Sequence, residues 1–203
     1  MLMIAVQVGL LSLAFERLGL SQASGFTLLI VSLFGSGINL PLFTIRSETP
    51  LEPIASPWHG LLRLPPRPFT GKTLVAINVG GCLIPVTFSI YLLMHNPIGI
   101  GTALLAIAIV TAVSYFSSRP IQGLGIGMPI FIAPITAALT AHFFNQEIDA
   151  PLAYICGTLG VLIGADLLRL GDIRKMGTPF ASIGGAGTFD GIFMTGIVAV
   201  LLA

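Results

Sequence analysis

Two carboxylates stand out because of where they sit. Asp190 follows Ser182-Ile183-Gly184-Gly185-Ala186-Gly187-Thr188-Phe189 inside a long apolar stretch. In a helix beginning at Ala181 it would lie about 14 Å in, near the middle of a bilayer. Asp166 comes late in another apolar stretch, three residues before Arg169. A charge within a membrane crossing is costly, which makes it a functional candidate by default. Asp190 in particular could serve as a titrating or ion-binding group. Asn39 and Asn78 add polar amides, and Gly187 and Thr188 stand beside Asp190, so these four are candidate substrate or ion ligands. The plain alternative for Asp166 is an ion pair with Arg169, since positions three apart share a helix face.

The elements that must position these groups are set by composition. Only 8% of the 203 residues are charged and 55% are hydrophobic, against about 25% charged in a soluble domain. Mean hydropathy is +0.98. Water cannot solvate such a surface, so lipid is the expected solvent. At about 20 residues per helical crossing, the chain holds one membrane domain, residues 1–203, and no soluble module. Seven apolar stretches are legible: Met1–Phe15, Gly25–Phe43, Leu74–Met94, Ile98–Tyr115, Gly127–Phe144, Pro151–Leu168 and Ala181–Leu202. The expected fold is an all-α, polytopic bundle of about seven transmembrane helices. The net charge of +1 gives no reason to expect nucleic acid. Cys82 and Cys156 fall inside apolar runs and read as buried core thiols. His59, His95 and His142 are scattered without metal-ligand spacing, so no metal or cofactor is expected.

Basic residues then orient the bundle. Arg46, Arg63, Arg67, Lys72, Arg119, Arg169, Arg174 and Lys175 fall on one side of a seven-helix topology, and Arg17 alone on the other. The positive-inside rule places the N-terminus in the cytoplasm and the C-terminus outside. The cell (inner) membrane is the expected location. The long segment 44–73 carries six of the fourteen prolines and reads as a cytoplasmic loop, in which Trp58, Leu61 and Leu62 suit an interfacial position as well as a linker. In this topology Asn39, Asn78, Asp166 and Asp190 share the cytoplasmic half. A polar cluster open to the cytoplasm explains this, and so do separate interhelical hydrogen bonds.

Glycine supplies packing faces and breaks. Gly123 and Gly127, Gly160 and Gly164, and Gly187 and Gly191 are four positions apart, a spacing that lets helices approach closely in lipid. Gly35-Ser36-Gly37-Ile38-Asn39-Leu40-Pro41 and Gly123-Leu124-Gly125-Ile126-Gly127-Met128-Pro129 combine glycines with proline and suit helix breaks. With the echo between Gly81-Cys82-Leu83-Ile84 and Gly160-Val161-Leu162-Ile163, they hint at two inverted three-helix repeats, as in secondary transporters.

The stretches Asn78-Val79-Gly80-Gly81, Gly157–Leu168 and Ala181–Phe193 resemble a bacterial and archaeal family of multi-pass membrane proteins known as domain of unknown function 1614. The resemblance covers most of the chain, supports a membrane location, and brings no activity with it. More distantly, Asp166 and Asp190 on consecutive helices joined by a cytoplasmic loop are similar to the presenilin-like intramembrane aspartyl proteases. In that family the second aspartate ends a Gly-x-Gly-Asp motif, and the resemblance implies one ionised carboxylate acting as base beside one protonated partner. Here Thr188-Phe189 separates Gly187 from Asp190, and no Pro-Ala-Leu motif occurs. Leu170-Gly171-Asp172-Ile173-Arg174 is similar to the Gly-Asp-x-Lys of prepilin peptidases, but Arg169 replaces the earlier glycine, and Asp172 reads as a solvated charge.

Three functional readings stay open: an intramembrane hydrolase using Asp166 and Asp190, a small secondary transporter or ion-coupled carrier centred on Asp190, and a non-catalytic structural subunit. The lipid bilayer is the expected partner, with a peptide or small solute as substrate and an oligomer left open.

Overall fold

The computed structural model describes residues 2–47, 71–121, 125–144, 148–175, 177–185 and 191–203 (the side chains of 2–7, 125 and 191 excepted). Among these, seven α-helices follow the order of the apolar stretches: α1 Leu2–Arg17, α2 Gln22–Gly35, α3 Ile84–His95, α4 Ile100–Ser117, α5 Ile132–Phe144, α6 Asp149–Val161 and α7 Gly191–Leu202. A wide π-helical turn, Val79–Leu83, leads into α3, and a second, Leu162–Leu167, extends α6.

The all-α expectation is corrected by five strands: β1 Asn39–Arg46, β2 Lys72–Asn78, β3 Arg119–Ile121, β4 Gly125–Gly127 and β5 Phe180–Ile183. Three stretches predicted as single helices each divide into a helix and a strand. The reason is local. Pro41 cannot continue α2, and it is tolerated in β1 because that strand lies at the sheet edge, where the ladder is irregular between Pro41 and Phe43. Thr73, Val75 and Ile77 supply the β-branched side chains of β2. A short apolar run carries no periodicity that separates strand from buried helix. The predicted loop 44–73 also shortens, since Thr44–Arg46 and Lys72–Thr73 are strand; its proline-rich part, with Trp58, lies outside the described residues.

β2 is the central strand of a three-stranded sheet. It pairs antiparallel with β1, from Asn39 opposite Asn78 to Arg46 opposite Lys72. On its other side it runs parallel to β5, from Leu74 opposite Phe180 to Ile77 opposite Ile183. β3 and β4 form a small separate hairpin ladder between α4 and α5.

Around α6, buried on nearly every face, pack α3, α4, α5 and α7. Its glycines make this possible. A Cβ on Gly164 would lie 2.4 Å from the Thr111 carbonyl oxygen, and one on Gly160 2.6 Å from Val110 Cβ. The Gly160–Gly164 face thus meets α4. On another face α6 meets α7, where a Cβ on Gly196 would lie 2.7 Å from Thr158 Oγ1.

α4, and α6 with its π-helical extension, are long and apolar enough to cross a membrane, and α1 and α2 form a third such unit if their 107° bend is counted within one span. The helical parts of the other stretches are shorter. α4 turns Ile100, Leu104, Leu105 and Phe116 outward, and Phe116 is 79% exposed. An outer surface of that kind is consistent with a membrane protein.

Candidate functional site

Asp166 owes its position to the π-helical turn. The Leu168 N–H reaches back to the Ile163 carbonyl at 2.9 Å, five residues rather than four. Such wide turns recur at functional sites. The extra residue changes the angular offset between Asp166 and Arg169, and the expected ion pair between them does not form. Arg169 instead donates to Asp172 Oδ2 at 3.0 Å, to the Tyr115 and Ser118 carbonyls at 2.6 and 2.8 Å, and to Ser118 Oγ at 3.2 Å. Its guanidinium also lies 4.4 Å above the Tyr115 ring. Arg169 thereby caps the C-terminus of α4, where carbonyls lack helical partners. Asp172, expected to be solvated, is its ion-pair partner.

The Asp166 carboxylate is held from the other side. Oδ2 accepts a 2.7 Å hydrogen bond from the Gly184 N–H, at the end of β5. Gly184 and Gly185 both have positive φ, +85° and +100°, which turns the chain sharply as it leaves the strand. No cation pairs with Asp166 among the described residues.

Asp166 and Gly185 line a cavity of about 340 Å³ between the start of α5, the end of α6 and α7. Its other walls include Met128, Phe131, Val161, Ile192 and Thr195. Among the described residues the lining is largely apolar, with the Asp166 carboxylate and the Thr195 hydroxyl as its polar side chains. That pattern suits an apolar ligand oriented by a few polar groups.

Beside this, Asn39 and Asn78 meet directly. Asn78 Nδ2 donates to the Ser36 carbonyl at 2.6 Å and to Asn39 Oδ1 at 3.1 Å, and Asn78 Oδ1 accepts from the Gly81 N–H at 2.8 Å. Ser182 Oγ donates to Asn39 Oδ1 at 2.6 Å. The network ties all three strands together at the end from which β5 proceeds to Gly184. Two of the predicted polar residues are thus brought together, and a third, Asp166, is bonded to Gly184, two residues beyond Ser182. Asn39 and Asn78 do not line the cavity. Asp190, Gly187 and Thr188 lie outside the described residues, although Gly185 and Ile192 on either side of them in sequence both line it.

Sequence reasoning missed Ser182 as a partner of Asn39, and it missed the cavity wall from α5. The Gly184-Gly185 pair was a visible break signal, but its contact with Asp166 spans 18 positions and leaves no local trace. No group of three or more His, Cys, Asp or Glu side chains gathers at a metal-binding distance among the described residues.

The geometry defines a helical bundle braced by a mixed sheet, with a carboxylate at the wall of an apolar cavity. Residues 33–202 match the family model described as "Protein of unknown function (DUF1614)", and the chain belongs to that family. No curated protein and no solved structure matches it significantly.

Proposed function

We propose that this chain is a multi-pass membrane hydrolase in which Asp166 and Asp190 form an acid/base pair. The observation that carries the reading is the Asp166 carboxylate, which lines an apolar cavity, accepts a hydrogen bond from a backbone N–H, and has no ion-pair partner among the described residues. Asp190 comes from the sequence, two positions before the cavity residue Ile192. The ionised carboxylate takes a proton from water as the water oxygen attacks a carbonyl carbon. The protonated one gives its proton to the carbonyl oxygen. Collapse of that adduct breaks the bond to the leaving amine, which departs with a proton. An apolar peptide is the substrate class that suits the cavity lining, and Gly187 and Thr188, close to Asp190 in sequence, are the candidate substrate ligands. Asn39 and Asn78 hold the sheet end that carries Gly184.

The membrane setting in this proposal is the cell (inner) membrane, with the N-terminus cytoplasmic and the C-terminus outside. The shorter apolar helices complete their crossings together with strand segments. Backbone of that kind at membrane depth must face protein or a wet cavity, as a hydrolytic site requires. Broken helices also favour a second reading, an ion-coupled carrier.

The test uses the full chain in lipid nanodiscs, incubated with apolar transmembrane peptides and read by mass spectrometry. Cleavage is expected, with Asp166→Asn and Asp190→Asn each lowering the rate at least about 100-fold. No cleavage, or cleavage that survives either substitution, overturns the hydrolase. Proton-coupled solute uptake by the chain reconstituted in sealed liposomes, abolished by either substitution, would establish the carrier instead.

A further inference from the structure

β1 presents a combination that neither water nor hydrocarbon accommodates. Ile38 just before it is 52% exposed, and within it Leu42 is 50% and Phe43 46% exposed, so apolar side chains stand out on both faces. It is also an edge strand, and no described strand pairs with its outer side. Apolar side chains at that density favour lipid. Unpaired backbone N–H and C=O groups along an open edge exclude the hydrocarbon core, where nothing satisfies them. The boundary between headgroups and acyl chains meets both demands, with acyl chains for the side chains and water or headgroups for the backbone.

The far end of the same strand supplies the charge. Arg46 stands directly opposite Lys72 in the antiparallel ladder, a like-charge pair that costs stability in isolation. Ser47 Oγ donates to the Arg174 carbonyl at 2.9 Å, which brings Arg174 and Lys175 to the same corner. All four cations are exposed. The described ion pairs engage other residues, Arg169 with Asp172 and His142 with Asp149. Among the described residues none of these four cations has an ion-pair partner, and four such charges beside an apolar edge complement a ligand that is anionic at one end and apolar at the other.

We propose that β1 with Arg46, Lys72, Arg174 and Lys175 is a docking surface for anionic phospholipid. The headgroup phosphate lies among the cations, and the acyl chains lie along Leu40, Leu42 and Phe43. This surface is independent of the chemistry at Asp166 and stands or falls separately from it.

The test is native mass spectrometry of the full chain in detergent with added phosphatidylglycerol or phosphatidylcholine. Phosphatidylglycerol is expected to bind at least about tenfold more tightly. Arg174→Gln/Lys175→Gln, on an exposed turn away from the ladder, is expected to lose roughly 25-fold, at about fivefold per cation near a charged surface. Arg46→Lys/Arg174→Lys keeps the charge and is expected to keep the preference, as is Arg119→Gln on β3. Equal binding of the two lipids, an unchanged preference in Arg174→Gln/Lys175→Gln, or full displacement by millimolar inorganic phosphate overturns the proposal. The last result would mark the corner as a site for free anions.

Discussion

Gly184 has two roles at once. Its N–H holds the Asp166 carboxylate, and its missing side chain lets the end of β5 lie against the π-helical turn before α3. A Cβ there would sit 2.7 Å from both Gly81 C and Cys82 Cβ, on a backbone whose φ is +85°. Left-handed strain costs about 1–2 kcal/mol and overpacking about 1–3 kcal/mol, so Gly184→Ala is expected to lose about 3 kcal/mol. The thermal midpoint in one fixed detergent reads this, and a midpoint equal to that of the parent would show that the chain end is free to shift. At this scale the sequence was half legible. A carboxylate in an apolar stretch is conspicuous, and so Asp166 could be singled out. Its surroundings could not, because spacing in a regular helix pointed to Arg169 while one extra residue in the turn sent the two side chains apart.

Between elements, small residues decide how closely the helices approach. Gly164 lies against the α4 backbone, where a Cβ would meet the Thr111 carbonyl oxygen, whereas a Cβ on Gly101 within α4 meets nothing within 4 Å. Gly164→Ala is therefore expected to destabilise by about 2–3 kcal/mol. Gly101→Ala should be neutral or stabilise by up to about 1 kcal/mol from helix propensity. Unfolding of both variants in a mixed-micelle denaturant series compares them directly; equal effects would remove the close packing of α4 on α6 as the cause. The four-residue spacing of Gly160 and Gly164 announced this interface, though not its partner helix. The strands were hidden for a different reason. Leu74-Val75-Ala76-Ile77 is apolar throughout, and a strand buried by neighbours on both sides needs no polar alternation to betray it. Gly35, Gly37 and Pro41 together signalled that α2 could not continue.

For the molecule as a whole, the outward apolar faces set the solvent. Phe116 and Leu104 on α4 face away from the bundle, so a tryptophan placed at Phe116, with Trp58→Phe removing the native one, should be quenched strongly by brominated lipid and weakly by aqueous iodide. The reverse pattern would mean that this face meets water or another protein. The sheet has a consequence for how such a chain is made. Thr73 donates its hydroxyl proton to the Thr178 carbonyl, 105 positions later, and β5 completes the ladder beside β2. During synthesis β2 must therefore wait, one side unpaired, until α3 to α6 have been delivered. Through that interval the nascent chain carries an open strand edge, and a ribosome stalled before Phe180 would leave it available to the wrong partner.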